Sequence, residues 1–308
     1  MQDVGSTGRA RKLALHPSSA SSALLTVLSV FVFPEPQPVP TSVFLYLLEQ
    51  LGFGSRAGRQ ALQRAVGEGW IEARRTGRQT SWHFTTAGHQ LMTEGRVRLR
   101  DFGSSDRRWD GRLIMVFASV PDANRDLRHT LRTRLSWMGF GAMSPGTWIS
   151  LRPDVEREAA ELIEQLGIPG ATSFVATPGM VGSFNDVVSR AWDLDAVAAE
   201  YESFLEEFGD MRPEDGDEVA IALVRIVHRW RRFPFEDPML PPQLLPRDWP
   251  GIAATSMYSA LSSLWRSAAT KRWHELLAAA TADPTSATES VLRKESHGDH
   301  RRVGHRDQ

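Results

Sequence analysis

Four long polar side chains recur at positions i, i+3, i+4 and i+7 of one stretch: Arg56, Arg59, Gln60 and Gln63. On a helix this spacing brings all four to the same face, and Arg64 lies beside them. Arginine and glutamine form paired hydrogen bonds with base edges, and arginine also binds phosphate groups. The pattern therefore indicates a surface for nucleic acid, and an exposed helix made soluble by arginine and glutamine is the alternative.

The opposite side of this helix is small or apolar and carries Ala61, Leu62, Ala65 and Val66. Two helices precede it, over residues 18–33 and from Thr41, and a Pro-rich loop separates them because proline cannot continue a helix. Thr41 or Ser42 is a candidate cap for the second helix, and Ser55 is one for the third. The sequence GFG between the last two helices predicts a tight turn.

A basic hairpin follows the polar-faced helix. The sequences WIEARR and SWHFT predict strands, and TGRQ between them predicts a turn in which Gly77 adopts a positive φ. The hairpin carries three candidate phosphate contacts, Arg74, Arg75 and Arg78, and Thr86 is a candidate cap for the next helix. Three helices and a hairpin are typical of a winged helix-turn-helix, whose third helix enters the major groove while the hairpin touches the backbone or minor groove.

Charge is distributed unevenly along a chain whose net charge is only −1. Residues 51–100 hold nine Arg against three Glu, a local balance of +6. Residues 150–218 hold seventeen acidic residues against four Arg, a balance of −13. This asymmetry favours an anion-binding module joined to a domain that does not bind the same anion, although a charged solvated surface would look similar. The chain has no cysteine, which excludes disulfides and thiolate metal sites.

The rest of the chain has two further patterns. Three strands alternate with two helices in the middle: strands over 111–120, 146–151 and 171–177, and helices over 124–140 and 155–168. This alternation predicts a ferredoxin-like α/β domain on condition that one more strand is present. The remainder is predicted to be helical over 184–211, 216–235 and 252–280, with a long Pro-rich loop before the last helix.

The patterns together predict an α+β protein of several domains. The predicted domains are a winged helix-turn-helix over residues 18–100, a ferredoxin-like domain over 108–180 and a helical C-terminal domain over 184–280, with disordered ends at 1–17 and 281–308. The apolar run over residues 23–33 is too short to span a bilayer, so we interpret it as a buried helix. We expect a cytoplasmic protein that does not associate with membranes.

No motif indicates catalysis. The glycines of GFGSRAG do not follow a predicted strand, and the chain contains neither G-x-S-x-G nor H-E-x-x-H. The histidines are scattered except for His297, His300 and His305 near the C-terminus, where we expect adventitious metal binding at most. The sequence therefore predicts no enzyme, no cofactor and no dedicated metal site.

Four stretches resemble, in order, the PaaX family of transcriptional repressors, which is named for control of phenylacetic acid catabolism: LLEQLGFGSRAGRQALQRAVGEGWI, WDGRLIMV, LSWMGFGAMSP and FPFEDPMLPPQLLPRDWPG. The last is the most specific, because DP-x-LP-x-x-LLP-x-x-W is an uncommon string. Arg56 and Arg59 fall where the family also has arginine, whereas Gln60 and Gln63 stand where it varies. The hairpin sequence GRQTSWHFTTAG also resembles that of the family.

The resemblance implies a homodimer that binds double-stranded operator DNA through its winged helices. It also implies that the ferredoxin-like domain supports dimerisation and that the C-terminal domain contributes to dimerisation or effector binding. The expected function is repression of genes for phenylacetate or related aromatic catabolism, relieved by an aryl-acyl-CoA such as phenylacetyl-CoA. A regulator of other genes with a different acyl-CoA or aromatic effector is the alternative. The effector-binding residues remain unassigned.

The central domain is also similar to the small ferredoxin-like nucleases of CRISPR adaptation, which hold a metal with an Asp near the end of their first strand. Ala118 and Ser119 occupy that neighbourhood here, and the nearest acid is Asp122 in the following loop. Metal-dependent cleavage lacks its ligand without that carboxylate. A nuclease or another enzyme on this domain is therefore the disfavoured alternative from a different functional class.

Overall fold

The computed structural model describes residues 19–76, 79–102 and 109–282, which form two compact units. The hairpin unit contains residues 19–91, 214–224 and 265–282, and the sheet unit contains residues 92–213 and 225–264, each within the described ranges. The fold is mixed α+β, as predicted. The predicted disordered ends lie outside the described residues, except that residues 281 and 282 belong to the last helix.

The hairpin unit begins with three helices and three strands. Its elements, in chain order, are α1 (Ala20–Val27), β1 (Val39–Pro40), α2 (Thr41–Gln50), α3 (Ser55–Gly67), β2 (Ile71–Thr76) and β3 (Gln79–Phe84). The helix α1 continues as a π-helical turn over Leu28–Val32. The three strands form an antiparallel sheet in the order β1-β3-β2, in which Ile71 lies opposite Phe84 and Val39 opposite Trp82. The short strand β1 falls in the stretch predicted to be a loop.

The core of the hairpin unit surrounds α1, all eight residues of which are buried. Leu24 and Leu28 on this helix, with Phe44 and Leu48 on α2, are almost fully removed from solvent. Trp273 extends the core, since its ring stacks on Phe31 at a centroid distance of 5.1 Å. This apolar burial is the main stabilising contribution to the unit and fixes the position of α3.

An ion-pair cluster lies beside this core. The Arg272 guanidinium binds both carboxylate oxygens of Asp217, at 2.8 and 3.0 Å, and the Tyr46 hydroxyl donates to Asp217 at 2.8 Å. Burial, followed by the hydrogen bond to Asp217, raises the pKa of Tyr46. The cluster ties α2 to two segments that are distant in sequence.

The predicted helix caps of this unit are wrong in detail. The caps of α2 and α3 are Pro40 and Gly54, and neither uses a side chain. The Thr41 hydroxyl instead accepts a hydrogen bond from the Trp82 indole at 2.9 Å and donates to the Thr80 carbonyl at 3.2 Å. A hydroxyl that joins α2 to β3 in this way is not available to cap its own helix. In place of Thr86, Thr85 caps the next helix, because it accepts from the Gly88 amide at 3.0 Å.

The sheet unit contains four strands and the helices that cover them. The helix α4 (Thr86–Asp101) leads from the hairpin into this unit. The elements that follow are β4 (Leu113–Phe117), α5 (Arg125–Trp137), β5 (Gly141–Ser144), β6 (Thr147–Ser150), α6 (Glu156–Gln165) and β7 (Thr172–Ala176). The strands pair antiparallel in the order β5-β6-β4-β7. The strand β5 is the additional one on which the ferredoxin-like prediction depends.

The sheet has a buried layer on each face, because successive side chains of a strand point to opposite sides. Ile114 and Val116 of β4 pack with Leu131, Leu135 and Leu162 of α5 and α6. Leu113 of the same strand packs with Ile149, Leu151 and Val188 on the other face. Burial on both faces explains why the sequence of β4 is apolar without interruption.

Helices dominate the rest of the chain. They are α7 (Phe184–Ala191), α8 (Leu194–Gly209), α9 (Gly216–Trp230), α10 (Phe233–Glu236) and α11 (Pro250–Ala282). The prediction of one long helix from residue 184 is wrong, because Trp192 is extended and Asp193 caps α8 by accepting from the Ala196 amide at 3.0 Å. No helix in the described part of the chain combines the length and the hydropathy that a membrane span requires.

A buried tyrosine organises the aromatic core of the sheet unit. Tyr201 stacks on Phe233 at 4.1 Å between centroids, and its hydroxyl donates to the Asp237 carboxylate at 2.6 Å. Asp237 also accepts from the Met239 amide at 2.6 Å. Burial raises the pKa of Asp237, and these two hydrogen bonds oppose that increase. Both donors therefore favour the ionised form of this carboxyl group.

Replacing this tyrosine by phenylalanine is expected to destabilise the fold. Tyr201→Phe should lower the free energy of unfolding by about 1–3 kcal/mol, because a buried acceptor loses its donor. The change also raises the pKa of Asp237 further above the unfolded-state value near 3.8. A pKa of Asp237 above its unfolded-state value means that folding favours the protonated carboxyl, and the stability that protonation provides is lost as pH rises. The variant has the higher pKa, so it loses more of this stability than the wild type does. Urea unfolding at several pH values should therefore give a wild-type advantage that grows from acid to neutral pH; an advantage that shrinks would contradict this account.

Candidate nucleic-acid interface

The helix α3 presents its polar side chains to solvent. Arg56, Arg59, Gln60, Gln63 and Arg64 are exposed, whereas the packed side of the helix consists of Gly58, Ala61, Leu62 and Ala65. Val66, which also lies away from the arginines and glutamines in the helical spacing, is 37% exposed. Within the described residues, Arg56 and Gln63 have no intramolecular partner, and neither do the two candidate base readers, Arg59 and Gln60. Their hydrogen-bonding groups are therefore available to a ligand.

A close helix–helix approach fixes the orientation of α3. A Cβ atom added at Gly58 would lie 2.7 Å from a methyl of Leu45, so glycine permits α2 and α3 to pack at this distance. The turn between the two helices uses Gly52 at φ +88° and a hydrogen bond from the Phe53 amide to the Leu48 carbonyl at 2.8 Å. The apolar side of α3 is thereby held against α1 and α2, and its polar face points outward.

Arg64 differs from the other polar residues of α3. One of its terminal nitrogens donates to the Ser21 hydroxyl on α1 at 3.3 Å. This contact directs part of the guanidinium toward the protein. We therefore expect Arg64 to contribute less to ligand binding than Arg56 and Arg59 at the beginning of the helix.

The hairpin contributes a second basic surface. Arg74 and Arg75 on β2 are exposed, and Arg78 lies outside the described residues. The Arg74 guanidinium donates twice to one carboxylate oxygen of Glu72, at 2.7 and 2.9 Å. Both side chains of this pair are largely exposed, so the pair contributes little to stability. It does, however, neutralise one of the three predicted phosphate contacts.

The opposite strand of the hairpin carries a histidine. The His83 ring lies 3.2 Å from the Ser81 hydroxyl. Burial and the nearby Arg74 charge lower the pKa of His83. This shift favours the neutral ring, which adds a polar group to this surface. Sequence reasoning did not single out this residue, because nothing in its spacing distinguishes it.

Thr85 and Gly88 hold the base of the hairpin against α4. The Thr85 hydroxyl donates to the carbonyls of Gly69 and Trp70, which immediately precede β2. The same hydroxyl accepts from the Gly88 amide in the first turn of α4. At Gly88 the backbones approach so closely that an added Cβ would lie 1.9 Å from the Trp70 carbonyl oxygen. One threonine and one glycine thus fix where the hairpin begins.

The end of β4 has no carboxylate like that of the CRISPR-adaptation nucleases. Ala118 is buried and its amide donates to the Gly146 carbonyl at 2.8 Å. Asp122 is fully exposed and pairs with Arg128 at 3.0 Å. No group of three or more His, Asp or Glu side chains within the described ranges could hold a metal ion. The histidines at 297, 300 and 305 lie outside those ranges.

Comparison with known proteins agrees with this architecture. Models of one family match three successive parts of the chain: PaaX-like protein over residues 19–88, PaaX protein central Cas2-like domain over 106–187, and PaaX-like protein C-terminal domain over 192–275. The Transcriptional repressor PaaX of Escherichia coli (strain K12) is 27% identical, over 68% of this chain and 69% of the relative.

A solved structure of an uncharacterized protein from Mycobacterium tuberculosis shares the fold. It has a TM-score of 0.55 at 22% identity, over 80% of this chain and 96% of that chain. The three family models, taken together, cover most of the residues from 19 to 275 and follow the order of the elements described above. The chain therefore belongs to the PaaX family.

Proposed function

We propose that this protein is a transcriptional regulator, most simply a repressor, that binds double-stranded operator DNA, and that it is not an enzyme. One observation carries the proposal: α3 exposes Arg56, Arg59, Gln60 and Gln63 on a single face while its other side is packed. The name of the Escherichia coli relative, a transcriptional repressor, supports it.

In this proposal the hairpin unit acts as a winged helix-turn-helix. The helix α3 enters the major groove, where Arg59 and Gln60 read base edges and Arg56 and Gln63 contact bases or phosphates. The DNA backbone is bound by the remaining arginines of this surface, which are Arg64, Arg74, Arg75 and Arg78. Arg64 also donates to the Ser21 hydroxyl and Arg74 to the Glu72 carboxylate. These contacts weaken the binding of both arginines to phosphate.

The remaining proposals concern assembly and signal. The domains are assigned to residues 18–100, 108–180 and 184–280, with a ferredoxin-like domain in the middle that supports a homodimer. Two winged helices would then bind the half-sites of a roughly palindromic operator. The effector is an aryl-acyl-CoA such as phenylacetyl-CoA, and the regulated genes serve phenylacetate or related aromatic catabolism. The effector would act by binding more tightly to the DNA-free form.

A fluorescence anisotropy titration tests these proposals separately. The full-length protein is titrated against its own upstream intergenic DNA and against random duplex at two salt concentrations, with and without phenylacetyl-CoA. If the protein prefers the upstream DNA and phenylacetyl-CoA removes that preference, both the regulator function and this effector are supported. Preference that the compound leaves unchanged supports the regulator and excludes this effector. Equal binding to both DNAs would overturn the assignment of α3.

The Glu72–Arg74 pair gives a prediction of its own. Glu72→Gln should strengthen binding to all duplex DNA, because it removes a negative charge and releases Arg74 for binding to phosphate. The slope of log affinity against log salt should become steeper by about one unit for each additional phosphate that the protein neutralises. Anisotropy at several salt concentrations measures the slope. Glu94→Gln, which alters an exposed glutamate on α4, is the charge-matched control, and an equal increase in both variants would contradict a specific effect of Arg74.

A further inference from the structure

The hairpin unit includes the second half of the C-terminal helix. Residues 265–282 of α11 belong to this unit, as do residues 214–224. The buried residues of this half recur every three or four positions and so form one face of the helix: Trp265, Ala269, Trp273, Leu276, Leu277 and Ala280. A segment near the C-terminus is therefore built into the unit that carries the candidate DNA surface.

Packing and an ion pair hold this half of α11 in place. The Trp273 ring is 1% exposed, stacks on Phe31 at 5.1 Å and lies 6.4 Å from the Phe44 ring of α2, both measured between centroids. The next residue toward the N-terminus, Arg272, binds both carboxylate oxygens of Asp217 on α9. The end of α11 thus starts from a fixed position in the unit.

The far end of the hairpin extends beyond its neighbouring strand. Five of the six residues of β2 are exposed, so this strand is covered by little besides β3. The two residues of β1 pair with Ser81 and Trp82 of β3, whereas Thr76 and Gln79, which pair with each other, lie farther out. A two-stranded hairpin is only marginally stable by itself, so this end requires support from elsewhere in the chain.

The last turn of α11 provides such support. The side-chain amide of Gln79 donates to the Ala280 carbonyl at 3.2 Å, although the two residues are 201 positions apart in sequence. The last carbonyls of a helix have no partner within the helix, and α11 ends at Ala282. Gln79 is half-buried, which limits the competition of water for this bond. The contact therefore ties the end of β3 to the end of α11.

The arginines of the hairpin follow the position of β3. Arg74 lies opposite Ser81 and Arg75 opposite Thr80 in the antiparallel ladder. A hairpin that moves before binding must become ordered when its arginines contact phosphate, and this loss of conformational entropy lowers affinity. A contact that holds β3 in the free protein therefore favours DNA binding without touching the DNA.

We propose that Gln79 is a positioning residue: its contact with the last turn of α11 holds the hairpin arginines in the arrangement that binds duplex DNA. The effect on DNA rests on the function proposed above, whereas the hold on the hairpin does not. Displacement of this turn frees the hairpin and leaves α3 unchanged. The end of α11 accordingly controls affinity for all duplex DNA, and α3 controls the preference for one sequence.

Hydrogen exchange of the full-length protein without DNA tests the contact. Gln79→Met nearly preserves the length of the side chain and removes the donor. The amides of β2 and β3 should exchange about three- to tenfold faster, which is the effect of one lost hydrogen bond on local opening, while those of α1 and α2 exchange as in the wild type. Thr76→Val changes the exposed residue opposite Gln79 and should leave the exchange of the hairpin as it is.

A matched pair of variants tests the same contact from the helix. Ala279 and Ala268 are both exposed residues of α11, but only Ala279 lies in its last turn. Glycine lowers helix propensity at both positions. Ala279→Gly should therefore speed the exchange of β2 and β3, whereas Ala268→Gly should not. In the Gln79→Met background Ala279→Gly should add nothing, because the contact is already lost.

Anisotropy with the upstream intergenic DNA and with random duplex completes the test. Gln79→Met should weaken binding to both by the same factor, about twofold or more, so that their ratio is unchanged. Unchanged exchange of the hairpin would overturn the proposal, because a loss of affinity alone would make Gln79 a direct DNA contact. Faster exchange with unchanged affinity would also overturn it. A wild type without preference for the upstream DNA would contradict the proposed function and leave the exchange result standing.

Discussion

Arg59→Ala is expected to remove most of the preference for operator over random duplex while the protein remains folded. Arg59 lies on the exposed face of α3 and has no partner within the described residues. A bidentate contact with a base edge contributes about 1–3 kcal/mol of discrimination, so preference should fall by roughly 10- to 100-fold. Binding to random DNA should weaken much less, because the hairpin arginines remain.

The experiment compares operator and random duplex in the same salt by gel shift or anisotropy. Arg157→Ala is the matched control, because Arg157 is also an exposed arginine on a helix but belongs to the sheet unit. It should leave the preference unchanged. If Arg59→Ala loses affinity equally for both DNAs, Arg59 is a phosphate contact. If operator binding is unchanged, the assignment of α3 as the helix that reads bases is wrong.

The order of helices and strands could be predicted because apolar periodicity in this sequence is strong. The helices α1 to α5 and the strands β2, β3, β4, β6 and β7 all fall where the pattern predicted them. The strands β1 and β5 could not be predicted, since one has two residues and the other consists of Gly, Ala, Met and Ser. Their pairing depends on the neighbouring strand, which a local pattern does not contain.

Helix ends were less predictable because their determinants are single contacts. Asp193 interrupts what apolar spacing predicts to be continuous, and it does so through one hydrogen bond to the Ala196 amide. Thr41 looked like a cap but its hydroxyl binds β3 instead. Tertiary packing therefore decides that Thr41 does not cap α2, and rules of sequence spacing do not include that packing.

The candidate site shows the same limit. Exposure of the α3 face could be predicted from helical spacing alone, and the Glu72–Arg74 pair could have been found too, since residues i and i+2 of a strand share a face. The Arg64–Ser21 contact joins positions 43 residues apart and has no local signal. A cavity of the sheet unit is likewise lined by four segments that are distant in sequence. Only the folded chain brings Arg152 close to Trp137 and Asp237 in its lining.

Two glycines on α4 should respond oppositely to the same substitution. At Gly88 a Cβ would lie 1.9 Å from the Trp70 carbonyl oxygen and 2.8 Å from its carbon, whereas at Gly95 nothing lies within 4 Å. Neither glycine has a positive φ, so alanine fits the backbone conformation at both positions. The two variants therefore differ in steric space alone, and Gly95→Ala is a matched control for Gly88→Ala.

Gly88→Ala is expected to lower the free energy of unfolding by about 3 kcal/mol, because the clash is with backbone that cannot rotate away. Gly95→Ala should instead raise it by about 0.5–1 kcal/mol through the better helix propensity of alanine. Urea unfolding followed by circular dichroism measures both changes. Equal stability of the two variants would mean that α4 and the start of β2 separate easily. In that case Thr85 would have to hold the hairpin alone, and Thr85→Val should then reduce DNA affinity at a temperature where the protein remains folded.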